Sequence, residues 1–154
     1  MNGIPAYFTG GLRNNFAGSD LIVETGDPRK KLWVQVKTGA PILKDHVYLT
    51  QCAGEDDLGR DKFDSDFVVF VNIELSAAKK HNHAGELGFE HLSFYVVPRK
   101  AANSLYQRWL GHWHAKPKRD GQQRKLGNMA VHVPRQEIEQ YQNAWSLLLG
   151  KSAA

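Results

Sequence analysis

The strongest constraint on the fold is a pair of short stretches, Ser19 to Glu24 and Leu32 to Lys37, that alternate apolar and polar residues and are separated by a turn. They read as one β-hairpin. Centred on Asp27-Pro28, its antiparallel partners have residue numbers that add to a constant, so Asp20 lies opposite Gln35, Ile22 opposite Trp33, and Glu24 opposite Lys31. Opposed residues point to the same side. A side-chain period of two then adds Lys37 to Asp20 and Gln35, and sends Leu21, Val23, Leu32, Val34 and Val36 to the other face. A slip of one residue would put every apolar side chain on the wrong side, so this register is the one the pattern selects. The result is a core face and a polar face carrying an acid, an amide and a lysine. A carboxylate can hold a divalent cation, an amide carbonyl can act as a neutral oxygen ligand, and a lysine can orient or activate water. The competing interpretation is an ordinary half-exposed strand.

The 154 residues suit one domain, expected to span 1–154 with a core over about 4–98 and a basic helical part over about 99–150. With 42% hydrophobic and 23% charged residues, the composition is that of a globular chain, and no stretch approaches a membrane span. The start lacks a secretory pattern and Cys52 is the lone cysteine, which together are expected of a cytoplasmic protein. A solitary cysteine is more often a small buried apolar residue than a nucleophile. The net charge of +4 is mild but unevenly placed. Arg99, Lys100, Arg108, Lys116, Lys118, Arg119, Arg124 and Lys125 face only Asp120 as a counter-charge, among Tyr106, Trp109 and Trp113. Basic side chains interleaved with aromatics suit phosphate contact and base stacking; the alternative is a solvated helix and loop.

Along the chain, Ile4 to Phe8 is a short extended candidate, and Thr9 to Asn15 is a glycine-rich loop without phosphate-loop spacing, whose Arg13 borders the polar face. Asp45 to Cys52 is expected as a short helix and Gly54 to Asp64 as a solvent-facing acidic loop. Phe67 to Ile73 is a continuous apolar run, as in a central strand covered on both faces, and Ser93 to Pro98 is a second strand. Ala77 to His91 joins them as a long excursion. Leu105, Trp109, Leu110 and Trp113 recur at helical spacing within Lys100 to Trp113. Ala115 to Asn128 reads as a mobile or ligand-ordered basic loop, Met129 to Val133 as a short strand, and Arg135 to Leu149 as a helix stopped by Gly150.

Gly18-Ser-Asp20-Leu-Ile-Val followed by Val34-Gln-Val-Lys37-Thr, then a helix and an apolar strand, resembles the PD-(D/E)xK nuclease-like superfamily over about the first half of the chain. The later strands, the basic helix and Tyr141-Gln-Asn-Ala-Trp145 are similar, more loosely, to small bacterial members. The resemblance implies an α/β fold, a restriction-endonuclease-like mixed β-sheet flanked by helices. Asp20 matches the first acid, Gln35 the second ligand position and Lys37 the lysine. It also implies Mg²⁺ or Mn²⁺ held by Asp20, Gln35 and the Val36 carbonyl, and DNA, rather than RNA, as the bound phosphodiester. Arg13, Lys116, Lys118, Arg119, Arg124 and Lys125 would contact nucleic acid.

Two departures matter. Gln35 replaces the usual acid, which removes a negative charge from the metal site. Only Met1 to Pro5 precede the first strand candidate, where the family core opens with a helix; the apolar sheet face then needs another cover, either the C-terminal helix or a second copy of the chain. A catalytically silent nucleic-acid-binding or protein-interaction module on the same fold is therefore the rival expectation. Glu24 is assigned to a surface pair with Lys31, and His81, His83, Glu86, Glu90 and His91 to a solvated loop rather than a zinc site. His112 and His114 either contact phosphate or cap the helix end.

Overall fold

The computed structural model describes residues 6–8, 19–25, 27, 29–74 and 91–150. They form a mixed α/β arrangement. Strands β1 (Ala6–Phe8), β2 (Leu21–Glu24), β3 (Lys31–Gly39), β5 (Phe67–Ile73) and β6 (Leu92–Pro98) build a five-stranded sheet in the order β1-β2-β3-β5-β6. The β3–β5 pair is parallel and the other pairs are antiparallel. Strands β4 (His46–Cys52) and β7 (Met129–Pro134) form a separate antiparallel ribbon. Helix α1 is Arg99–Ala115, and α2 is the single turn Arg135–Ile138.

The hairpin register is the one expected, with Leu21 opposite Val34, Ile22 opposite Trp33 and Glu24 opposite Lys31. Its apolar face, with Val23 and Val34, packs with Val69 and Val96 against Ala144 and Leu148. The C-terminal segment thus covers this side of the sheet, though not as the helix anticipated. Each fully buried aliphatic side chain contributes roughly 1.5–3 kcal/mol. The other face is not purely polar. Gln35 lies beside Val68 and Lys37 beside Phe70, and both partners belong to the larger core. That core is roofed by α1 and the β4–β7 ribbon, through Val47, Leu49, Leu105, Tyr106, Leu110 and Val133.

Helix α1 follows the apolar spacing and buries Ala102, Leu105, Tyr106 and Leu110. It ends at Lys116, whose extended backbone (φ −74°, ψ 123°) is what a residue before proline prefers. Two expectations fail. Residues Asp45 to Cys52 are not a helix: β4 occupies this stretch, and its register shifts between Tyr48 and Thr50, a bulge that hides the two-residue period. Nor is Arg135 to Leu149 one helix. After α2 it runs through two short 3₁₀ turns, Glu139–Tyr141 and Trp145–Leu149, interrupted at Gln142, which bridges to Tyr95, and at Asn143, which has a φ of 52°.

The acidic loop is also not simply solvent-facing. Asp57 accepts hydrogen bonds from the Ala53 N–H (2.8 Å), the Lys62 ammonium (2.9 Å) and the Tyr106 hydroxyl (2.8 Å). Burial alone would raise its carboxyl pKa, but these three donors and the Lys62 charge bring it down to about 2. A depressed carboxylate stabilises the fold above its unfolded pKa, near 4, and loses that contribution as pH falls through its folded value. Acid titration of stability should therefore show a loss on the order of 1 kcal/mol between about pH 4 and 2, after allowance for solvent screening. The loss should be absent in Asp57→Asn; equal acid sensitivity in that variant would remove Asp57 as the cause. No helix among the described residues is long and apolar enough to cross a membrane.

Candidate metal and phosphate site

Asp20 directly precedes β2, and Gln35 lies on the neighbouring strand β3. The Asp20 N–H donates to the Val34 carbonyl (2.9 Å), one residue out of the β2–β3 register in which Leu21 pairs with Val34. Its Oδ2 accepts the Val36 N–H at 2.7 Å, so the carboxylate is fixed by the backbone of the strand that carries the other two candidates. Asp20 itself is exposed. Gln35 is 9% exposed, and its side-chain carbonyl Oε1 is buried without a hydrogen-bond partner among the described residues. A buried amide oxygen left in that state costs about 1–3 kcal/mol, so a donor or a cation at this point would be favoured.

Lys37 is half-buried, and among the described residues it forms no ion pair, with Asp20 or any other acid. Two residues further on, Gly39 permits the ring of Tyr48 to lie directly on the strand. A Cβ at this position would collide with the Tyr48 ring. Tyr48 therefore borders Lys37 on the same face, and burial raises its hydroxyl pKa. The ribbon is held there by Asn72, which is buried: its Oδ1 accepts the Tyr48 N–H (2.7 Å) and its Nδ2 donates to the Tyr48 carbonyl (3.1 Å). Tyr48 and Asn72 escape sequence reasoning because their partnership depends on β4 being a strand.

The loop before β5 closes the other flank. The Ser19 and Ser65 hydroxyls are 2.6 Å apart, next to Asp20, and Asp66 Oδ2 accepts the Trp33 N–H at 2.9 Å. This loop is pinned to α1. Asn103 bonds the Lys62 and Phe63 N–H groups and the Phe63 carbonyl, while Gln107 bonds the Gly59 N–H and the Asp57 and Arg60 carbonyls.

The basic candidates lie elsewhere on the surface. Lys116, Lys118, Arg119 and Lys125 are exposed. Arg124 is half-buried with its guanidinium 5.0 Å from the centre of the Trp113 ring. The segment folds as a hydrogen-bonded turn, Gly121 N–H to Lys118 O (3.0 Å) and Lys118 N–H to Gln122 O (2.8 Å). His114 pairs with Gln123, and His112 packs edge-on against Trp109. Glu24 and Lys31 are strand partners without an ion pair among the described residues. Arg13, Gly18, Pro28, His81, His83, Glu86 and Glu90 lie outside the described residues, whereas His91 is buried at the foot of β6.

Asp20, Gln35 Oε1 and the Val36 main chain thus offer hard oxygen donors with a single negative charge. Among the described residues no three His, Cys, Asp or Glu side chains converge as a metal cage. No protein-family model, curated protein or solved structure matches the chain.

Proposed function

We propose that the chain is a metal-dependent nuclease of the PD-(D/E)xK type, with a restriction-endonuclease-like sheet, that binds DNA and hydrolyses its phosphodiesters. The observation that carries this reading is the buried Gln35 Oε1, without a hydrogen-bond partner among the described residues, on the strand whose Val36 N–H fixes the Asp20 carboxylate, with a lysine two residues along that forms no ion pair among the described residues. The donor set suits Mg²⁺ or Mn²⁺, since all its members are oxygen. Asp20 would supply the charge, and Gln35 and the Val36 carbonyl neutral ligands. A divalent ion held there would supply a lowered water pKa and polarisation of the phosphate. Lys37 would hold the attacking water or the scissile phosphate, because no carboxylate among the described residues pairs with its ammonium. Asp20 and Val36 share a hydrogen bond, which ties the carboxylate to the strand that carries the other ligands.

The single carboxylate also favours a second reading, a silent nucleic-acid-binding module on the same fold. Incubation of supercoiled DNA with the protein and Mg²⁺ or Mn²⁺ separates the two. Nicking should appear, disappear on chelation, and be lost in Lys37→Ala. Salt-sensitive DNA binding without nicking would place the chain with the silent module. Nicking unchanged in Lys37→Ala would remove this site from the chemistry.

A further inference from the structure

A cavity of about 280 Å³ lies between the last turns of α1 and the β4–β7 ribbon. Its size falls just under the roughly 300 Å³ at which drug-sized sites begin, so it suits one planar ring system rather than a large ligand. Its walls are aromatic. Trp109 is anchored by its indole N–H to Glu137 (3.3 Å), and Trp113 carries Arg124 on its ring. Opposite them stands His132. Its Nε2 accepts the Ile42 N–H (3.3 Å), and burial holds the ring pKa down, so it presents a flat, uncharged surface. His46 donates Nδ1–H to the Lys44 carbonyl (2.8 Å), which leaves Nε2 as a polar edge group among the walls. Leu43, 53% exposed, forms part of the lip.

One lysine stands among the lining residues. Lys116 lines the cavity and begins the stretch that continues through Lys118, Arg119 and Lys125, all exposed, with Asp120 as its one acid. An uncharged apolar ligand would gain nothing from that rim. A heterocycle attached to a phosphate would use both parts, the indoles for stacking and the lysines for the backbone. We infer that this cavity is a slot for a single unstacked nucleobase of a single-stranded nucleic acid, with the adjoining phosphates on the basic turn. The inference rests on the nucleic-acid part of the proposed function and extends it to the form of the strand. The Tyr48 ring, which lies on Gly39 beside Lys37, also meets His132 edge-on at 5.7 Å, so one aromatic side chain separates the slot from the Lys37 strand.

The test is a titration of the full chain, at low salt with chelator, against an octathymidylate and an abasic octamer of the same length, read by tryptophan fluorescence and by anisotropy. The thymidylate should quench the indoles and bind about tenfold more tightly than the abasic strand. Ala130→Leu, which fills the slot from β7, should erase that preference while circular dichroism stays unchanged. Leu43→Ala, at an exposed lip, should reduce it. Lys116→Ala should weaken both strands alike. Equal affinity for the two octamers, or a preference that survives Ala130→Leu, overturns the slot and leaves duplex nicking untouched. Failure of both octamers and of duplex DNA to bind at low salt overturns the slot and the proposed function together.

Discussion

Asp20→Asn should lower metal-dependent nicking by about 10³-fold, the loss expected when several kcal/mol of transition-state charge stabilisation is removed. This substitution is preferable to alanine because of what Asp20 does for the backbone. Its Oδ2 accepts the Val36 N–H at 2.7 Å, and an asparagine carbonyl can take the same bond. The fold should therefore lose no more than about 1 kcal/mol, the difference between a charge-assisted and a neutral hydrogen bond. The charge is a different matter. Asp20 is the one carboxylate in the proposed donor set, since Gln35 contributes a neutral oxygen, so the asparagine variant would offer a cation no anionic ligand. The checks are nicking rate at saturating Mg²⁺ and the urea midpoint of unfolding. A variant with an unchanged midpoint and undiminished nicking would exclude Asp20 as the metal ligand.

Asn103→Ala should be among the most destabilising single changes, at about 3–4 kcal/mol in urea unfolding. The side chain is 5% exposed and makes three hydrogen bonds to the loop, at 2.8, 3.0 and 2.9 Å. Its truncation strands the N–H and C=O of Phe63, a residue with no exposed surface, and each unsatisfied buried group costs about 1–3 kcal/mol. Against a total stability of about 5–15 kcal/mol this is a large fraction. Phe63 also stacks edge-on with Phe70 and Tyr106, so displacement of the loop loosens the core beneath it. The same loop brings Ser65 to Ser19 beside Asp20, and activity should fall further than the folded fraction does. A loss under 1 kcal/mol would show that water replaces the asparagine and that the loop is held by other contacts.

The hairpin could be read from the sequence because its information is local: a period of two, a short turn and a strict division of apolar from polar residues fix Ile22 against Trp33 and Glu24 against Lys31. The apolar run at Phe67 and the spacing of Leu105 and Leu110 are legible for the same reason. What escaped depends on distant residues. Strand β4 pairs with a partner about half the chain away, and the bulge at Tyr48/Thr50 breaks the alternation that would have marked it. The expected C-terminal helix is interrupted because Gln142 finds a partner in Tyr95 and Asn143 adopts a left-handed conformation. Asp57 looks like any acid in a loop until Tyr106, 49 residues away in sequence, supplies its hydroxyl. At the candidate site, the sequence indicates which three residues share a face. It does not indicate that Gln35 is buried without a partner among the described residues, or that Tyr48 and Ser65 stand beside the group.

The Asn72 clasp bears on the order in which the chain can close. Pairing Cys52 with Met129 ties together residues 77 apart, whereas the Asn72–Tyr48 contact spans 24. In loop-closure entropy the shorter span is favoured by about 1 kcal/mol. A single amide, acting as a surrogate strand edge, thus lets β4 dock on β5 before the partner that completes its ribbon has arrived.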